Sequence, residues 1–260
     1  MKVTALYFSP CGSSEKCAKI VAEELAKKFD ASLNFDSFTT PAERENVREY
    51  GADDILVIAS PTFAGKLPNK ILPDFKEKIK ANGAKAVALV TFGNRSYDNS
   101  LAELYAVLKE NNFVIPAAAA LVNEHSFAHI GIGRPNANDI AEIKTFAQNI
   151  NLDSCASVPG DADAPYYVPK QENGEPAKFL KATPKTDLDK CVKCGVCAKS
   201  CPMGSINPDN TAEVTGVCIK CHACVNKCQK QAKYFDDEQL ISHAAMLKAN
   251  YTDEKKNEFF

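Results

Sequence analysis

The sequence predicts an α/β protein, a doubly wound five-stranded parallel sheet followed by a small cysteine-rich domain. Two observations lead there. Over residues 1–151, short apolar runs alternate with amphipathic stretches, the signature of strands and helices in turn. Between Cys191 and Cys228, eight of the 11 cysteines fall into two copies of one spacing. With 260 residues, 45% apolar and 25% charged, the chain can bury one sizeable core and carry a small appended domain.

Residues 3–8 read as the first strand, broken by Ser9-Pro10-Cys11-Gly12-Ser13-Ser14. From Glu15 the pattern turns helical, with Cys17, Val21 and Leu25 four apart and Ile20 beside them. Residues 32–38 supply a second strand. The unbroken apolar run at 54–60 predicts a third, buried on both faces, with a helix over 70–81 after it. Residues 85–92 form the fourth strand, and a helix from Ser100 sets Leu101, Leu104, Tyr105 and Leu108 on one face. Residues 113–121 are the fifth strand, and a helix near Asn138 aligns Ile140, Ile143, Phe146, Ala147 and Ile150. Right-handed crossovers then give the open parallel sheet. Residues 152–185 are rich in Pro, Gly, Asp and Lys and read as a linker. The cysteine-rich domain spans 186–235, and 236–260 hold a helix over 236–248 and a tail.

Ligands of such sheets bind beyond the carboxyl ends of the strands, where strand order reverses. Three loops, 9–14, 61–68 and 93–98, leave strand ends there. The first suits a phosphate monoester: small residues, hydroxyls, and a helix N-terminus with free amides. It lacks the lysine of a Walker A loop and cannot spell G-x-G-x-x-G, which disfavours a nucleoside triphosphate. Cys17 reads as a core residue, Cys11 as part of the ligand loop, and Cys155 has no assigned role. Glu124-His125-Ser126-Phe127 reads as a loop that shapes the pocket or docks the second domain, since no nucleophile elbow or partnering acid accompanies it. No catalytic residue is assigned.

Ser9, Gly12 and Ser14 of the first loop resemble the phosphate loop of flavodoxins, with Cys11 in place of a threonine. The resemblance implies FMN, with Ser9, Cys11, Gly12, Ser13 and Ser14 around its phosphate. Pro61, Thr62, Phe63, Ala64 and Gly65 would border the isoalloxazine, opposite Thr91, Phe92, Gly93, Asn94, Tyr97 and Asp98. The chain has no tryptophan, so Phe63 or Tyr97 would stack on the flavin.

The cysteine runs are Cys191-x2-Cys194-x2-Cys197-x3-Cys201 and Cys218-x2-Cys221-x2-Cys224-x3-Cys228. Three thiolates at two-residue steps wrap a cluster corner, and a fourth comes from elsewhere, which predicts two 4Fe-4S clusters. Zinc needs only separated pairs, and an odd cysteine total argues against a disulfide framework. The region resembles the two-cluster bacterial ferredoxins, including Gly195 inside the first loop and Pro202 after the fourth cysteine. That resemblance implies crossed ligand sets: Cys191, Cys194, Cys197 and Cys228 for one cluster, Cys218, Cys221, Cys224 and Cys201 for the other. The second copy departs from it with His222 at the glycine position, expected near sulfur or solvent, and Gln229 at the proline position. Seven lysines (190, 193, 199, 220, 227, 230 and 233) surround the runs against Asp209 and Glu213, and such charge can favour reduced clusters.

The joined pattern resembles the flavodoxin-ferredoxin fusion proteins of anaerobic bacteria, and SPTFAGKLP (60–68), TFGNRSYDNSLAEL (91–104) and NEHSF (123–127) resemble them too. The expected function is electron transfer between two 4Fe-4S clusters, FMN and external redox proteins. Two alternatives stay open: a flavin-dependent reductase of a small quinone or nitro compound fed through the clusters, and a flavin-free iron-sulfur module. Nothing resembles a nicotinamide-binding domain. A net charge of −2 suggests neither nucleic acid nor an anionic membrane as partner. Without an apolar span or signal-peptide layout, a cytosolic location is expected; oligomeric state is open.

Overall fold

The structure is a computed structural model describing all 260 residues. The chain runs β1 (Lys2–Tyr7), α1 (Ser13–Lys28), β2 (Ser32–Ser37), β3 (Arg48–Tyr50), β4 (Asp54–Pro61), α2 (Leu72–Lys78), β5 (Ile79–Ala81) and β6 (Lys85–Phe92). It continues through α3 (Ser100–Glu110), β7 (Val114–Val122) and α4 (Ala137–Asn149), then β8 (Lys185–Thr186), α5 (Val196–Lys199), α6 (Ala223–Asn226), β9 (Lys233–Tyr234), α7 (Glu238–Asn250) and β10 (Glu258–Phe259). The main sheet has the order β10-β7-β6-β4-β1-β2, parallel except for β10. Its five parallel strands thus follow 2-1-3-4-5, the order of flavodoxin-like sheets, with the switch point between β1 and β4.

Strand alternation splits the core into two layers. Leu6, Phe8, Leu56, Ile58, Ala88 and Val90 face one side with Phe75, Leu101 and Leu104. Val3, Ala5, Ile55, Val57, Val87 and Leu89 face the other with Val21, Leu25 and Ile143. Both faces of the central strands are therefore dry, which is why their sequences lack polar alternation.

The helix expected over 70–81 stops at Lys78. Its last three residues leave helical geometry as β5 and pair in parallel with β3, which buries Ile79 fully. That pairing is non-local, so helical spacing could not reveal it.

The tail is a structural element rather than a loose end. β10 pairs antiparallel with β7, and Phe260 exchanges both backbone hydrogen bonds with Ala118 (2.8 and 2.9 Å). Phe259 stacks on Phe146 at 4.9 Å, and the Asn257 side chain accepts from the Val122 amide. Deleting residues 257–260 reopens the β7 edge. At about 1 kcal/mol per buried hydrogen bond lost, a loss of about 3 kcal/mol is expected, or roughly 6–12 °C in thermal unfolding. An unchanged melting temperature would show that the tail adds nothing to the sheet.

Residues 152–184 lack long elements, as their composition predicts, yet they lie against the sheet domain. The Ala156 amide donates to Ile115 O (2.9 Å), the Tyr167 amide to Ala64 O (2.8 Å) and the Tyr166 hydroxyl to Leu67 O (3.2 Å). Lys66, buried beside Glu103 at 3.2 Å, donates to the carbonyls of Ala162 and Ala164.

The cysteine-rich part repeats its backbone. Left-handed φ values at Lys193, Gly195 and Gly204 (53°, 76° and 61°) recur at Lys220, His222 and Gln231 (55°, 60° and 52°), in register with the cysteines. It sits firmly on the first domain. Arg44, paired with Asp74 at 2.7 Å, donates to Pro202 O at 2.9 Å, and Met203 and Ile219 pack on the sheet's core.

Candidate functional site

Beyond the carboxyl ends of β1, β4 and β6 lies a cleft of about 730 Å³, within the size range of cofactor sites. Gly12 (φ +93°) turns the chain into α1, a conformation that suits glycine. Ser9 Oγ accepts from the Glu15 amide (2.9 Å), the Ser9 amide donates to Thr39 Oγ1 (2.9 Å), and Ser14 Oγ meets Thr91 Oγ1 (2.8 Å). These bonds brace the loop on the start of α1, on the segment after β2 and on β6. The first-turn amides of Ser13 and Ser14, and the Ser13 hydroxyl, remain available to an anion at the positive end of the helix. This donor set fits a phosphate monoester.

Ser9, Cys11, Ser13 and Ser14 line the cleft, as do Pro61, Thr62, Phe63, Ala64, Gly65, Thr91, Phe92 and Gly93. Four expected residues do not, and each has another role. Gly12 shapes the turn. Asn94 is buried and donates to the carbonyls of Tyr251 (2.9 Å) and Asp253 (3.1 Å) after α7. The Tyr97 hydroxyl donates to Glu258 at 2.7 Å, and Asp98 pairs with Arg95. Of the two stacking candidates, only Phe63 faces the cleft.

The cleft has two further walls. One is the 124–127 loop expected to shape the pocket, and the other comes from the aromatic residues of the linker-like stretch, whose place at the cleft its composition did not give. Tyr166, Tyr167, Pro169, Phe179 and Leu180 reach it from the supposed linker, and Arg95 lies 4.0 Å over the Tyr167 ring. The aromatic pair inside an otherwise polar stretch was the available signal. Asn123, Glu124, His125, Ser126 and Phe127 form another wall.

His125 sits where a Cβ on Gly93 would approach within 2.7 Å of its Cα, so only glycine lets the two loops meet there. Its Nδ1 accepts from the amides of Phe127 (3.4 Å) and Ala128 (3.2 Å), which leaves the proton on Nε2. Burial, with the neighbouring His243 and His222, pushes its pKa down to about 3. The folded ring stays neutral while the unfolded ring takes a proton below its ordinary pKa of about 6.5. Stability is therefore expected to fall as pH drops from about 6.5 towards 3, with up to one proton bound per unfolding event. His125→Gln should flatten that slope in urea titrations at several pH values; an unchanged slope would assign the effect elsewhere.

The cysteine-rich part closes the cleft's far side. Val217, Cys218, Ile219, Lys220 and Cys221 line it. Cys11 Sγ donates to Cys221 O at 3.1 Å and accepts from Asn226 Nδ2, which also donates to Ser126 O at 3.0 Å. Cys11 is exposed at the residue level, but its thiol is engaged in both of these contacts, so it serves as a docking group. Cys17, in the apolar layer under α1, is pushed by burial up to about 12, as a core thiol should be.

His222, expected near sulfur or solvent, is buried and lines the cavity that holds Cys201, Cys218, Cys221 and Cys224. It is buried between Phe127 (4.7 Å) and Phe235 (4.4 Å), with Nδ1 donating to Lys220 O. Stacking across the domain contact offsets the strain of its left-handed backbone, which costs about 1–2 kcal/mol for a non-glycine residue. The second run thus trades a glycine for a docking ring.

One mostly apolar cavity is lined by Cys201 together with Cys218, Cys221 and Cys224, walled by Pro184, Pro202, Ile206 and Phe235. Amides point at these sulfurs: Ser205 N to Cys201 Sγ (3.3 Å) and Lys220 N to Cys218 Sγ (3.4 Å). Cys191 Sγ lies 3.9 Å from Thr211 Oγ1, Cys228 Sγ accepts from Ala232 N at 3.2 Å, and Cys194 is exposed. A dry pocket holding four thiols, with amides directed at sulfur, is the environment an anionic cluster needs.

Two sequence profiles, both described as a 4Fe-4S binding domain, match residues 184–207 and 215–231. The chain joins a flavodoxin-like sheet to a ferredoxin-type 4Fe-4S domain. Among solved structures, it is similar to a short-chain flavodoxin associated with a non-canonical PDU bacterial microcompartment, at 17% identity over 58% of this chain and 97% of that one, TM-score 0.42. It is also similar to a flavodoxin from the domain Archaea, at 15% over 58% and 96%, TM-score 0.39. Flavodoxin 2 from Bacillus cereus matches at 16% over 56% and 95%, TM-score 0.40. No curated protein matches the chain. The 4Fe-4S binding domain supports a redox, electron-transferring role, and no helix is long and apolar enough to cross a membrane.

Proposed function

We propose that the chain is an electron relay that holds FMN in the cleft and two 4Fe-4S clusters on the crossed cysteine sets, and exchanges electrons with an external redox protein. The observation that carries this reading is that Cys218 and Cys221 line the same cleft as Cys11, Ser13 and Ser14. FMN exchanges electrons singly or in pairs whereas clusters pass them singly, so the pairing couples the two regimes. The residues serve that coupling by position. Cys11, Asn226 and His222 hold the second cysteine run against the cleft, and the backbone ties of residues 156–167 keep the aromatic wall in place.

Cys191, Cys194, Cys197 and Cys228 would then hold the outer cluster. Around them Val192, Val196 and Cys194 are exposed, and the exposed Lys193, Lys199, Lys227 and Lys230 have no acidic partner. A redox protein with an acidic face fits this end. Anaerobic assay of iron, sulfide and released flavin tests the inventory. About eight irons, about eight sulfides and stoichiometric FMN are expected; the same clusters without flavin would contradict the relay.

A further inference from the structure

The His125 ring is held from three sides. Its Nδ1 accepts from the amides of Phe127 (3.4 Å) and Ala128 (3.2 Å), and the ring meets Phe127 edge-on at 4.5 Å. Its Cδ2 lies where a Cβ on Gly93 would come within 2.6 Å. The backbone beneath is fixed as well: the His125 amide donates to Ile130 O at 3.0 Å, and Ala128 and Ile130 pack on Met246 and Leu247 of α7. An Nδ1 that accepts from amides carries no proton. The ring is therefore neutral, and Nε2–H is its one donor.

That donor has no partner in the protein, since both hydrogen bonds of the ring are made at Nδ1. Nor is it sealed in: Ser200 Oγ is the only buried side-chain nitrogen or oxygen left without a hydrogen bond. Nε2 thus reaches open space, and the space that His125 lines is the cleft. A donor shut away from water without an acceptor is unfavourable, so a ligand that fills the cleft has to present an acceptor to it. The position favours the ring end of FMN over its phosphate. Gly93, on which His125 rests, belongs to the loop expected at the isoalloxazine, whereas the free amides suited to the phosphate are those of Ser13 and Ser14.

We infer that His125 is a flavin-recognition residue whose Nε2–H donates to a carbonyl oxygen or unprotonated nitrogen of the isoalloxazine. This rests on the FMN reading above. The two amides on Nδ1 fix the tautomer and the packing against Gly93 and Phe127 fixes the ring, so little freedom is lost when the ligand arrives. Hydrogen bonds to an anionic acceptor are roughly twice as strong as those to a neutral one. The same donor therefore holds the electron-rich reduced flavin more tightly than the oxidised form.

The test is fluorescence titration of FMN into the flavin-free full chain, then potentiometry of the bound flavin, on the wild type, His125→Phe and His125→Gln, with thermal unfolding recorded for each. Phe keeps a planar ring beside Phe127 but has no donor, and Gln keeps an N–H near the place of Nε2. The Phe variant is expected to bind oxidised FMN about tenfold more weakly. It should bind the reduced form about 100-fold more weakly, which lowers the two-electron midpoint potential by about 30 mV, while Gln keeps wild-type values. Unchanged affinity in a folded Phe variant overturns the assignment. So does weaker binding with an unmoved potential, which would put the donor at the phosphate, and so does equal loss in Phe and Gln, which would make the loop's shape the cause. If the Phe variant does not fold, His125→Leu takes its place in the same comparison. A wild type that binds no FMN would sink the FMN reading itself, and that is read before any variant.

Discussion

Replacing Cys201 by alanine is expected to remove at least half of the iron and sulfide and to slow electron entry into the flavin cleft by at least ~100-fold, about 2.7 kcal/mol in barrier. Cys201 belongs by sequence to the first run, but in space it lines a cavity with Cys218, Cys221 and Cys224. Its loss therefore strikes the site adjoining the cleft, and no further cysteine lines that cavity. Cys11→Ala is the matched control. It cuts the hydrogen bond to Cys221 O but leaves the eight cysteines of the two runs, so iron is expected to stay and transfer to slow only moderately. Full iron content in the Cys201 variant would contradict the crossed ligand sets.

Ser13→Glu is expected to weaken FMN binding by about 100-fold, or about 2.7 kcal/mol. The side chain enters the first turn of α1 beside the free amides, where a carboxylate would satisfy the donors and repel a phosphate dianion. Tyr97→Phe is expected to leave binding unchanged, because the Tyr97 hydroxyl is spent on Glu258 away from the cleft. Flavin fluorescence titration of the two variants separates these outcomes. Equal affinity in the Ser13 variant would move the phosphate elsewhere; a large loss with Tyr97→Phe would restore that residue to the flavin's border.

What could be read from the sequence was what depends on local pattern. The apolar runs of β4 and β6 and the stripe of α3 announce themselves by period, and the order of loops along the chain places the first three cleft walls. The cysteine spacing carried the 4Fe-4S reading alone. What could not be read depends on which distant segments meet. Phe259 and Phe260 become an edge strand only because β7 has an open side, and Ile79 leaves its helix only because β3 passes beside it. Asn94 and Tyr97 had the residue types of ligand contacts, but the C-terminal segment reached them first. Tyr166 and Tyr167 lie in a stretch whose composition says linker; the Tyr167 amide bond to Ala64 O and the Tyr166 hydroxyl bond to Leu67 O turn it into a wall. His222 looked like a flaw in a repeat, and it is the ring on which the two domains stack.

The central claim is that electrons cross within one chain, from the cysteine runs to the cleft. Anaerobic rapid mixing of the loaded protein with a stoichiometric reductant for the clusters, followed at cluster and flavin wavelengths over a range of protein concentrations, tests it most directly. The account predicts cluster reduction first and then flavin reduction at a rate independent of protein concentration. A flavin phase that scales with concentration, or that never follows the clusters, would contradict it.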